Sequence, residues 1–571
     1  MDAALAAINA VLWHDYVLYG MVLTGLVFTF WSGFSQYRAL THGVKVIRGS
    51  YDNPDDPGAI NHFQALSTAL SATVGLGNIG GVAIAISLGG PGAVFWMWVI
   101  GFLGMATKLT EVTLSMLYRN TDDPDNPHGG PMWVASKGLT RKFPGLGVGG
   151  KIIGGLFCIT CLIMAATGGN MFQAWNTGAI TEAYFGIPSV ACGIVLAVVV
   201  GMVIIGGIKR IGAVTGRLVP VMVVLYLIAA LYALVINFDQ IPEMFALIFK
   251  GAFSTLDASG AFIGGTMGYA FLFGMKRAIF SNEAGQGTSP IAHSAAKTKE
   301  PVREGVVAGL EPFLDTIVVC TLTALVILST GVWQRGAEGT LLDQPFIVEV
   351  EDQWTMSTSR VSERTEGAWQ DGSRVFVIVE SDLNPRSDNT MHQLDGTVIV
   401  AENGETFIEW DTIATELRPE LKDNGVYVSY VGATLTAHAF DTLVPGLGKW
   451  LVTLSVWLFA ISTMIAYSYY GEQATVYLFG QRAVFAYKVI FCLLAVIATA
   501  GFLQTDAQLD NLTGFGTGVM LFVNVPIMWI LGAQAMRAYK DYIRRLDEGR
   551  VGAEHEPPSL EDVISGKDVE K

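Results

Sequence analysis

Four glycines and one asparagine stand near the middle of a stretch long enough to cross a bilayer, residues 65–90: Gly75, Gly77, Asn78, Gly80 and Gly81. Glycine costs about 1 kcal/mol relative to alanine inside a helix. The pattern therefore predicts a helix that is interrupted in the middle of the membrane. Irregular backbone is tolerated at that depth only where it is buried in protein or lines a cavity. The amides and carbonyls of such an interruption can bind a small solute or an ion.

The composition is that of an all-α protein with many membrane spans. Of the 571 residues, 51% are hydrophobic, only 15% are charged and 65 are glycine, as expected for polytopic membrane proteins. The first apolar stretch has no small-residue cleavage signal after it, so we expect it to remain as a span. All five cysteines lie in apolar stretches, which favours buried thiols over disulfides or metal ligands.

Apolar stretches close to the roughly 20 residues needed to cross hydrocarbon predict eleven spans. They lie near residues 16–35, 65–90, 92–118, 151–176, 187–208, 216–238, 253–281, 306–332, 447–470, 484–504 and 511–535. Lysine and arginine follow the odd-numbered spans, whereas the loops 177–186 and 505–510 contain neither. Because these residues concentrate in cytoplasmic loops, we expect the N-terminus outside and the C-terminal polar tail, 536–571, in the cytoplasm.

The long segment 333–446 is predicted to be an inserted β-domain on the outer face. It contains 7 Lys and Arg against 20 Asp and Glu, so its charge of −13 accounts for most of the chain's −15. Several of its stretches alternate apolar and polar residues, and Asn403-Gly404 between two of them is a strong hairpin signal. Two interpretations stay open, a binding domain and a solvated spacer.

A second glycine-rich interruption is predicted at residues 262–268, within the seventh span. Spans two and seven are each the first of five, and an odd number of crossings reverses the side from which the next set begins. This predicts an inverted repeat, residues 61–238 against 253–332 with 447–535, after an extra helix in 1–35. Transporters of this kind bind substrate where two broken helices face each other. Close packing of helices through small residues is the alternative.

Three stretches, residues 63–119, 276–296 and 459–472, carry a resemblance to a known family. The most specific motifs are Gly77-Asn78-Ile79-Gly80-Gly81-Val82, Ile279-Phe280-Ser281-Asn282-Glu283-Ala284-Gly285 and Pro290-Ile291-Ala292-His293. The chain resembles the alanine or glycine:cation symporter family of bacteria and archaea. The resemblance implies a sodium-coupled, in some members proton-coupled, importer of small neutral amino acids in the cell membrane. It also implies a leucine-transporter-like fold of five plus five helices after one extra helix.

A zwitterionic amino acid needs donors for its carboxylate and acceptors for its ammonium group. Backbone amides at a half-helix N-terminus supply the donors, and we assign this role to Thr73, Gly75, Gly77 and Asn78. The complementary face is assigned to Gly265 and Thr266. By resemblance, Gln173 and Thr463 also face the ligand, and Tyr467 is expected to wall the pocket; for Gln173 a hydrogen bond between helices is the alternative.

Sodium prefers oxygen ligands, as other hard cations do. By resemblance, one ion is expected between carbonyls of the first broken helix and hydroxyls of span nine. The candidate ligands are the carbonyls of Ala69, Ala72 and Thr73 and the hydroxyls of Ser462 and Thr463. No carboxylate is required, and no cofactor other than the coupling ion is expected.

Few charged residues fall within the apolar stretches. Lys108 and Glu111 are three apart on one helix face and can pair, either to brace helices or for function. Asp315 is a candidate proton site or a cap for a neighbouring helix. Glu283, with Lys276-Arg277, is placed at the cytoplasmic end of span seven, where it would form either an inner gate or a solvated boundary.

The chain departs from the family pattern at Ala466-Tyr467, which stands where Gly-Trp is usual. Glycine, serine or a slightly larger neutral amino acid could therefore replace alanine as substrate. A channel is disfavoured because no repeated charged or carbonyl ring is present, and an enzyme because the eight histidines are scattered. A receptor built on a transporter scaffold stays open, and no nucleic-acid partner is expected.

Overall fold

The computed structural model describes residues 2–430, 432–501, 506–552 and 558–565. Helices dominate it. Those before the large insert are α1 (Asp2–Leu12), α2 (Asp15–Trp31), α3 (Ser35–Arg38), α4 (Val44–Ile47), α5 (His62–Thr73), α6 (Val82–Gly89), α7 (Gly92–Tyr118), α8 (Pro131–Trp133), α9 (Thr140–Lys142), α10 (Gly147–Ala166), α11 (Phe172–Phe185), α12 (Ser189–Ile204), α13 (Gly207–Ile236), α14 (Ile241–Phe253), α15 (Met267–Asn282), α16 (Ser289–His293), α17 (Pro301–Ala308) and α18 (Cys320–Ser329). Those after it are α19 (Ala433–Leu443), α20 (Leu447–Phe479), α21 (Val484–Thr499), α22 (Asp506–Asp547) and α23 (Leu560–Ser565).

Within the described residues, eight helices are long and apolar enough to cross a membrane, or nine if a bent pair counts as one span. The bent pair is α5 with the segment Gly77–Gly89, which meet at 53°. The count of eleven is therefore not confirmed. Two predicted spans, near 187–208 and 253–281, correspond to α12 and α15, which have only 16 residues each.

Five π-helical turns occur in the described residues, and three of them interrupt the regular helices at Gly77–Gly81, Thr167–Met171 and Phe313–Val319. Each joins two α-helical segments, the first leading into α6 and the second linking α10 to α11. Such turns leave the regular hydrogen-bond ladder and are frequent at functional sites. All three contain a buried polar residue, namely Asn78, Asn170 and Asp315.

In the ranges that the structure describes there are nine strands, and they lie between Gly339 and Val428. They are β1 (Gly339–Thr340), β2 (Ile347–Val350), β3 (Gln353–Met356), β4 (Ser359–Arg360), β5 (Arg374–Asn384), β6 (Asn389–Val400), β7 (Thr406–Trp410), β8 (Glu420–Leu421) and β9 (Gly425–Val428). Seven form one antiparallel sheet in the order β1-β9-β5-β6-β7-β4 with β8 beside β5, while β2 and β3 pair separately. Asn403 and Gly404 lie in the turn between β6 and β7, where Gly404 has a φ of 83°.

Strand β5 explains how the sheet attaches to the helices. Its Val375, Val377 and Val379 pack into the insert's own core. The alternate residues Phe376 and Ile378 pack against a cluster that includes Ala261 and Ile263, just before α15. Because successive side chains of a strand point to opposite faces, one strand contributes to both cores.

Candidate functional site

The first interruption is held open by Asn78. Helix α5 ends at Thr73, and Val74 leaves the helical conformation with a ψ of 96°. The amide oxygen of Asn78 accepts a hydrogen bond from the Gly75 N–H at 2.8 Å, and the Asn78 N–H donates to the Gly75 carbonyl at 3.1 Å. These two bonds close a tight loop between α5 and the π-helical turn that starts α6. The predicted interruption at this position is confirmed.

The same side chain ties the interruption to two other elements. Its Nδ2 donates to Ser281 Oγ at 3.1 Å, and also to the carboxylate of Asp315. Asn78 is completely buried. It does not line the central cavity, and its hydrogen bonds shape the backbone of the interruption; a direct contact with the substrate stays a prediction.

The second interruption lies at residues 283–288, between α15 and α16. Glu283 begins it in the left-handed region, with a φ of 54°, and Gly285 and Gly287 have φ values of 86° and 84°. These conformations are unfavourable for most residues but open to glycine. The spacing Gly285-x-Gly287, shortly after the predicted seventh span, was the available signal, and it entered the prediction only through Gly285 in a family motif.

The predicted location of the second interruption, at residues 262–268, is wrong. Gly265 and Thr266 precede α15 and do not line the cavity. Thr266 is the N-cap of α15, and its backbone N–H donates to the Arg386 carbonyl of the insert at 3.0 Å. Asn389 of the insert donates to the Ile263 carbonyl at 2.7 Å. This glycine cluster allows the sheet to dock, which sequence could not distinguish from a broken helix.

Lys276, Arg277 and Glu283 do not stand at the end of the seventh span, as expected, but before and at the interruption inside it. Helix α15 begins beside the insert and runs towards the interruption, so Lys276 and Arg277 lie on the insert's side of it. Glu283 is buried at the interruption itself, and both Arg277 and Glu283 line the central cavity. The error follows from the misplaced interruption.

The two interrupted helices run antiparallel. The first half of one, α5, packs against the second half of the other, α16, and α6 packs against α15. A first half meets a second half in both contacts only if the two segments point in opposite directions. The two interruptions therefore lie at a similar depth and face each other.

A cavity of about 380 Å³ lies between them, within the size range of small-molecule sites. The predicted site residues that line it are Ala72, Thr73, Gly75, Gly77, Gln173, Thr463 and Tyr467; those that do not are Ala69, Asn78, Gly265, Thr266 and Ser462. The lining residues that the sequence did not place in the substrate site include Arg277, Glu283 and Gln286.

Tyr467 closes one side of the cavity. Its ring packs directly on the backbone of Gly169, where a Cβ would lie only 2.2 Å from Tyr467 Cγ. Its hydroxyl contacts the carboxylate of Glu283, whose other oxygen accepts from Thr288 Oγ at 2.6 Å. The phenol therefore joins α20 to the second interruption, a bond that a residue without a hydroxyl at 467 cannot make.

Hydrogen-bond acceptors are concentrated on one side of the cavity. Gln173 and Gln286 donate through their Nε2 atoms to the carbonyls of Gly168 and Ile279, each at 3.1 Å. Within the described residues their Oε1 atoms are buried without a partner. With the Glu283 carboxylate, these oxygens can accept from an ammonium group. The backbone at Gly77, where a half-helix begins, offers an amide for a carboxylate, whereas the Gly75 N–H is already bonded to Asn78.

An oxygen-rich contact joins the end of α5 to α20. Thr463 Oγ1 donates to the Ser71 carbonyl at 3.1 Å, and Ser71 Oγ donates to the Ser462 carbonyl at 2.6 Å. The predicted sodium ligands Ala72 and Thr73 follow directly on Ser71. The oxygens present here are of the type that a hard cation prefers, so the residues fit a sodium ion.

A second oxygen cluster surrounds Asp315. Its carboxylate accepts from Ser281 Oγ at 2.9 Å and Thr316 Oγ1 at 2.8 Å, besides Asn78, and all four side chains are buried. In the part of the chain that the structure describes, Asp315 makes no salt bridge. A buried carboxylate with only neutral donors is costly unless it binds a proton or a cation.

Two opposed, interrupted membrane helices around a polar cavity define a carrier of small solutes. The model of the sodium:alanine symporter family matches residues 1–357 and 419–556. The chain belongs to this family.

Three relatives illustrate the range of the match. The sodium/alanine symporter AgcS of Methanococcus maripaludis is 36% identical over 488 residues, 86% of each chain. The putative sodium/proton-dependent alanine carrier protein YrbD of Bacillus subtilis is 32% identical, over 95% of this chain and 93% of its own. The probable sodium/glutamine symporter GlnT of the same organism is 36% identical, over 59% of this chain and 67% of its own.

Proposed function

We propose that the protein imports alanine and other small neutral amino acids, driven by sodium, through alternating access of the central cavity. The observation that carries the proposal is the cavity itself. Within the described residues it is lined by the unpartnered amide oxygens of Gln173 and Gln286, by the Glu283 carboxylate, and by the backbone of the first interruption. This is the polarity that a zwitterion requires. The name of the family and the names of two relatives agree with alanine as substrate and sodium as coupling ion.

We further propose that the full chain crosses the membrane eleven times, as an extra helix followed by two inverted five-helix units in a leucine-transporter-like arrangement. The antiparallel packing of the interrupted helices supports this, since each would be the first of its unit. The N-terminus and the insert are proposed to lie outside, and the C-terminal tail in the cytoplasm.

For sodium, we propose one site formed by the carbonyls of Ala69, Ala72 and Thr73 and the hydroxyls of Ser462 and Thr463. Asp315 is proposed to hold a second sodium ion or, as the alternative, a coupling proton. The carboxylate, with Ser281 and Thr316 around it, suits either cation.

Uptake into proteoliposomes tests the function. Labelled alanine is offered with an inward sodium gradient, and then with potassium in place of sodium. We expect accumulation only with sodium, and competition by unlabelled glycine and serine. Uptake that ignores sodium but follows an imposed pH gradient would contradict sodium coupling. If glutamine competes more strongly than glycine, the preferred substrate is an amino acid with a larger side chain.

A further inference from the structure

A chain of buried titratable side chains leads away from the cavity. His293 uses both ring nitrogens, with Nε2 2.7 Å from Glu311 Oε1 and Nδ1 in contact with Glu304. The other oxygen of Glu304 contacts His62 Nδ1. All four side chains are buried, and His293, Glu304 and Glu311 have no exposed side-chain area at all. Helices α5, α16 and α17 each contribute at least one member.

One end of this chain reaches the protein surface. His62 Nε2 lies 3.8 Å from a carboxylate oxygen of Asp52, whose side chain is 41% exposed. Asp52 precedes α5, at the end of that helix away from the interruption and hence away from the insert. Under the orientation proposed above, this surface faces the cytoplasm.

The other end reaches the second interruption. Glu311 Oε1 accepts from Ser289 Oγ at 2.5 Å. Ser289 follows Thr288, whose hydroxyl donates to the cavity-lining carboxylate of Glu283 at 2.6 Å. A series of hydroxyl, carboxyl and imidazole groups therefore extends from the wall of the cavity to the surface at Asp52.

The charges of this region require that it hold exchangeable protons. Four buried carboxyl groups, those of Glu111, Glu283, Glu304 and Glu311, are surrounded by two cations. Lys108 Nζ is 3.1 Å from Glu311 and also acts on Glu111 and Glu283, and Arg119 acts on Glu304. Net negative charge is expensive inside a membrane protein. Two further protons are therefore needed among the four carboxyls, His62 and His293.

The groups that face this chain come from every element packed around it. They are Lys108, Glu111 and Arg119 from α7, Glu283 from the interruption, Tyr467 and Tyr470 from α20, and Asp52 with Asp56 before α5. Asp56 lies 3.8 Å from Lys299. Asn524 of α22 donates both to Glu111 and to the Gly285 carbonyl, each at 2.9 Å.

We propose that Glu311, His293, Glu304 and His62 form a proton route between the substrate cavity and the surface at Asp52. The inference rests on the proposed function, because it adds a proton path to the transport of an amino acid. In each step one proton enters and one leaves. Glu311 gives its proton to Nε2 of His293, the Nδ1 proton passes to Glu304, and Glu304 passes one on to His62. Imidazole suits this relay because its two nitrogens exchange roles.

The test measures proton and alanine movement together. Full-length protein is placed in liposomes that contain a pH-sensitive dye, with the membrane potential clamped by potassium and valinomycin. Labelled alanine is added under a sodium gradient. For the wild type we expect an alanine-dependent change of internal pH. For His293→Gln we expect loss of that pH change, with sodium-dependent alanine exchange retained.

The matched control is His42→Gln. His42 is also a buried histidine, but it has a hydrogen bond to Tyr542 at 2.8 Å and lies outside the chain. This variant should keep the wild-type ratio of protons to alanine. If His293→Gln is not monodisperse, Glu304→Gln breaks the route at the next group.

Two results would overturn the proton route. One is alanine uptake by the wild type without any pH change, and the other is an unchanged proton-to-alanine ratio in both variants that interrupt the chain. Either would leave these residues as a static network that braces the helices. Absence of labelled alanine uptake by the wild type would instead refute the proposed function itself.

Discussion

Replacement of Asn78 by alanine should abolish transport without preventing membrane insertion. The side chain holds the Gly75 N–H at 2.8 Å and reaches Ser281 at 3.1 Å and the Asp315 carboxylate, all in a buried site. Its removal leaves a buried backbone donor and a buried carboxylate without this partner. A buried donor left unsatisfied costs about 1–3 kcal/mol, and a charged group costs more.

This cost falls on the conformation of the interruption that is competent to bind. A change of about 1–3 kcal/mol corresponds to about 5- to 150-fold in the population of that conformation. Apparent affinity falls by the same factor. We therefore expect alanine binding, measured by sodium-dependent protection against thermal unfolding, to weaken by about 5- to 150-fold, and uptake to be lost.

Asn384→Ala is the matched control. Asn384 is a buried asparagine of the insert that accepts from the Arg386 N–H at 3.1 Å and donates to the Met391 carbonyl at 2.7 Å. The same kind of side chain is removed there, away from the cavity. We expect lower stability of the insert and unchanged alanine affinity. Normal uptake by Asn78→Ala, or equal loss in the two variants, would refute the role assigned to Asn78.

Three further predictions concern the cavity, the cation and the insert. Tyr467→Phe keeps the ring on Gly169 but removes the contact with Glu283. The order in which glycine, alanine, serine and glutamine compete with labelled alanine for uptake should therefore change. An identical order would show that this bond does not determine selectivity. Asp315→Asn removes a carboxylate from the oxygen cluster, so half-maximal uptake should require a higher sodium concentration. If the sodium dependence of uptake is unaltered and its pH dependence changes, Asp315 binds the coupling proton instead. Replacement of residues 341–424 by an Asn-Gly turn joins Thr340 to Gly425, which are paired in neighbouring strands. Because no residue of the deleted segment lines the cavity, sodium-driven uptake should persist. Loss of uptake in a correctly inserted variant would show that the insert takes part in transport.

The family match adds a reason to treat the insert separately. The family model matches up to residue 357 and again from 419, so the centre of the insert, 358–418, lies outside the match. Strands β4 to β7 fall almost entirely in this unmatched part. The centre of the sheet therefore lies outside what the family model describes, whereas the helices before and after it lie within the match.

Local features were predictable where the signal is carried by neighbouring residues. The glycines around Asn78 disfavour a helix wherever they occur, and the alternation in Val375-Phe376-Val377-Ile378-Val379 produces a two-faced strand. Gly404 supplies the positive φ of its hairpin turn. Each of these depends on the backbone preferences of a few residues, which tertiary contacts did not reverse.

The location of the second interruption shows the opposite case. Residues 262–268 and 283–288 are both rich in small residues, and either could break a helix. Contacts from Arg386 and Asn389, more than a hundred residues later in the chain, stabilise the first as a docking segment beside the sheet. Such long-range contacts cannot be read from the sequence, so the stronger local glycine cluster was predicted to be the interruption.

The sequence by itself determined that this chain is a multispan membrane protein with a broken second span, an acidic β-rich insert and the motifs of one symporter family. Only the tertiary structure decided that Glu283 and Tyr467 meet at the cavity, that Asn78 holds the backbone of the interruption, and that His62, His293, Glu304 and Glu311 are linked by buried contacts. Composition and backbone preference act over a few residues. The pairing of buried polar groups depends on which helices pack together, and that is settled by the fold as a whole.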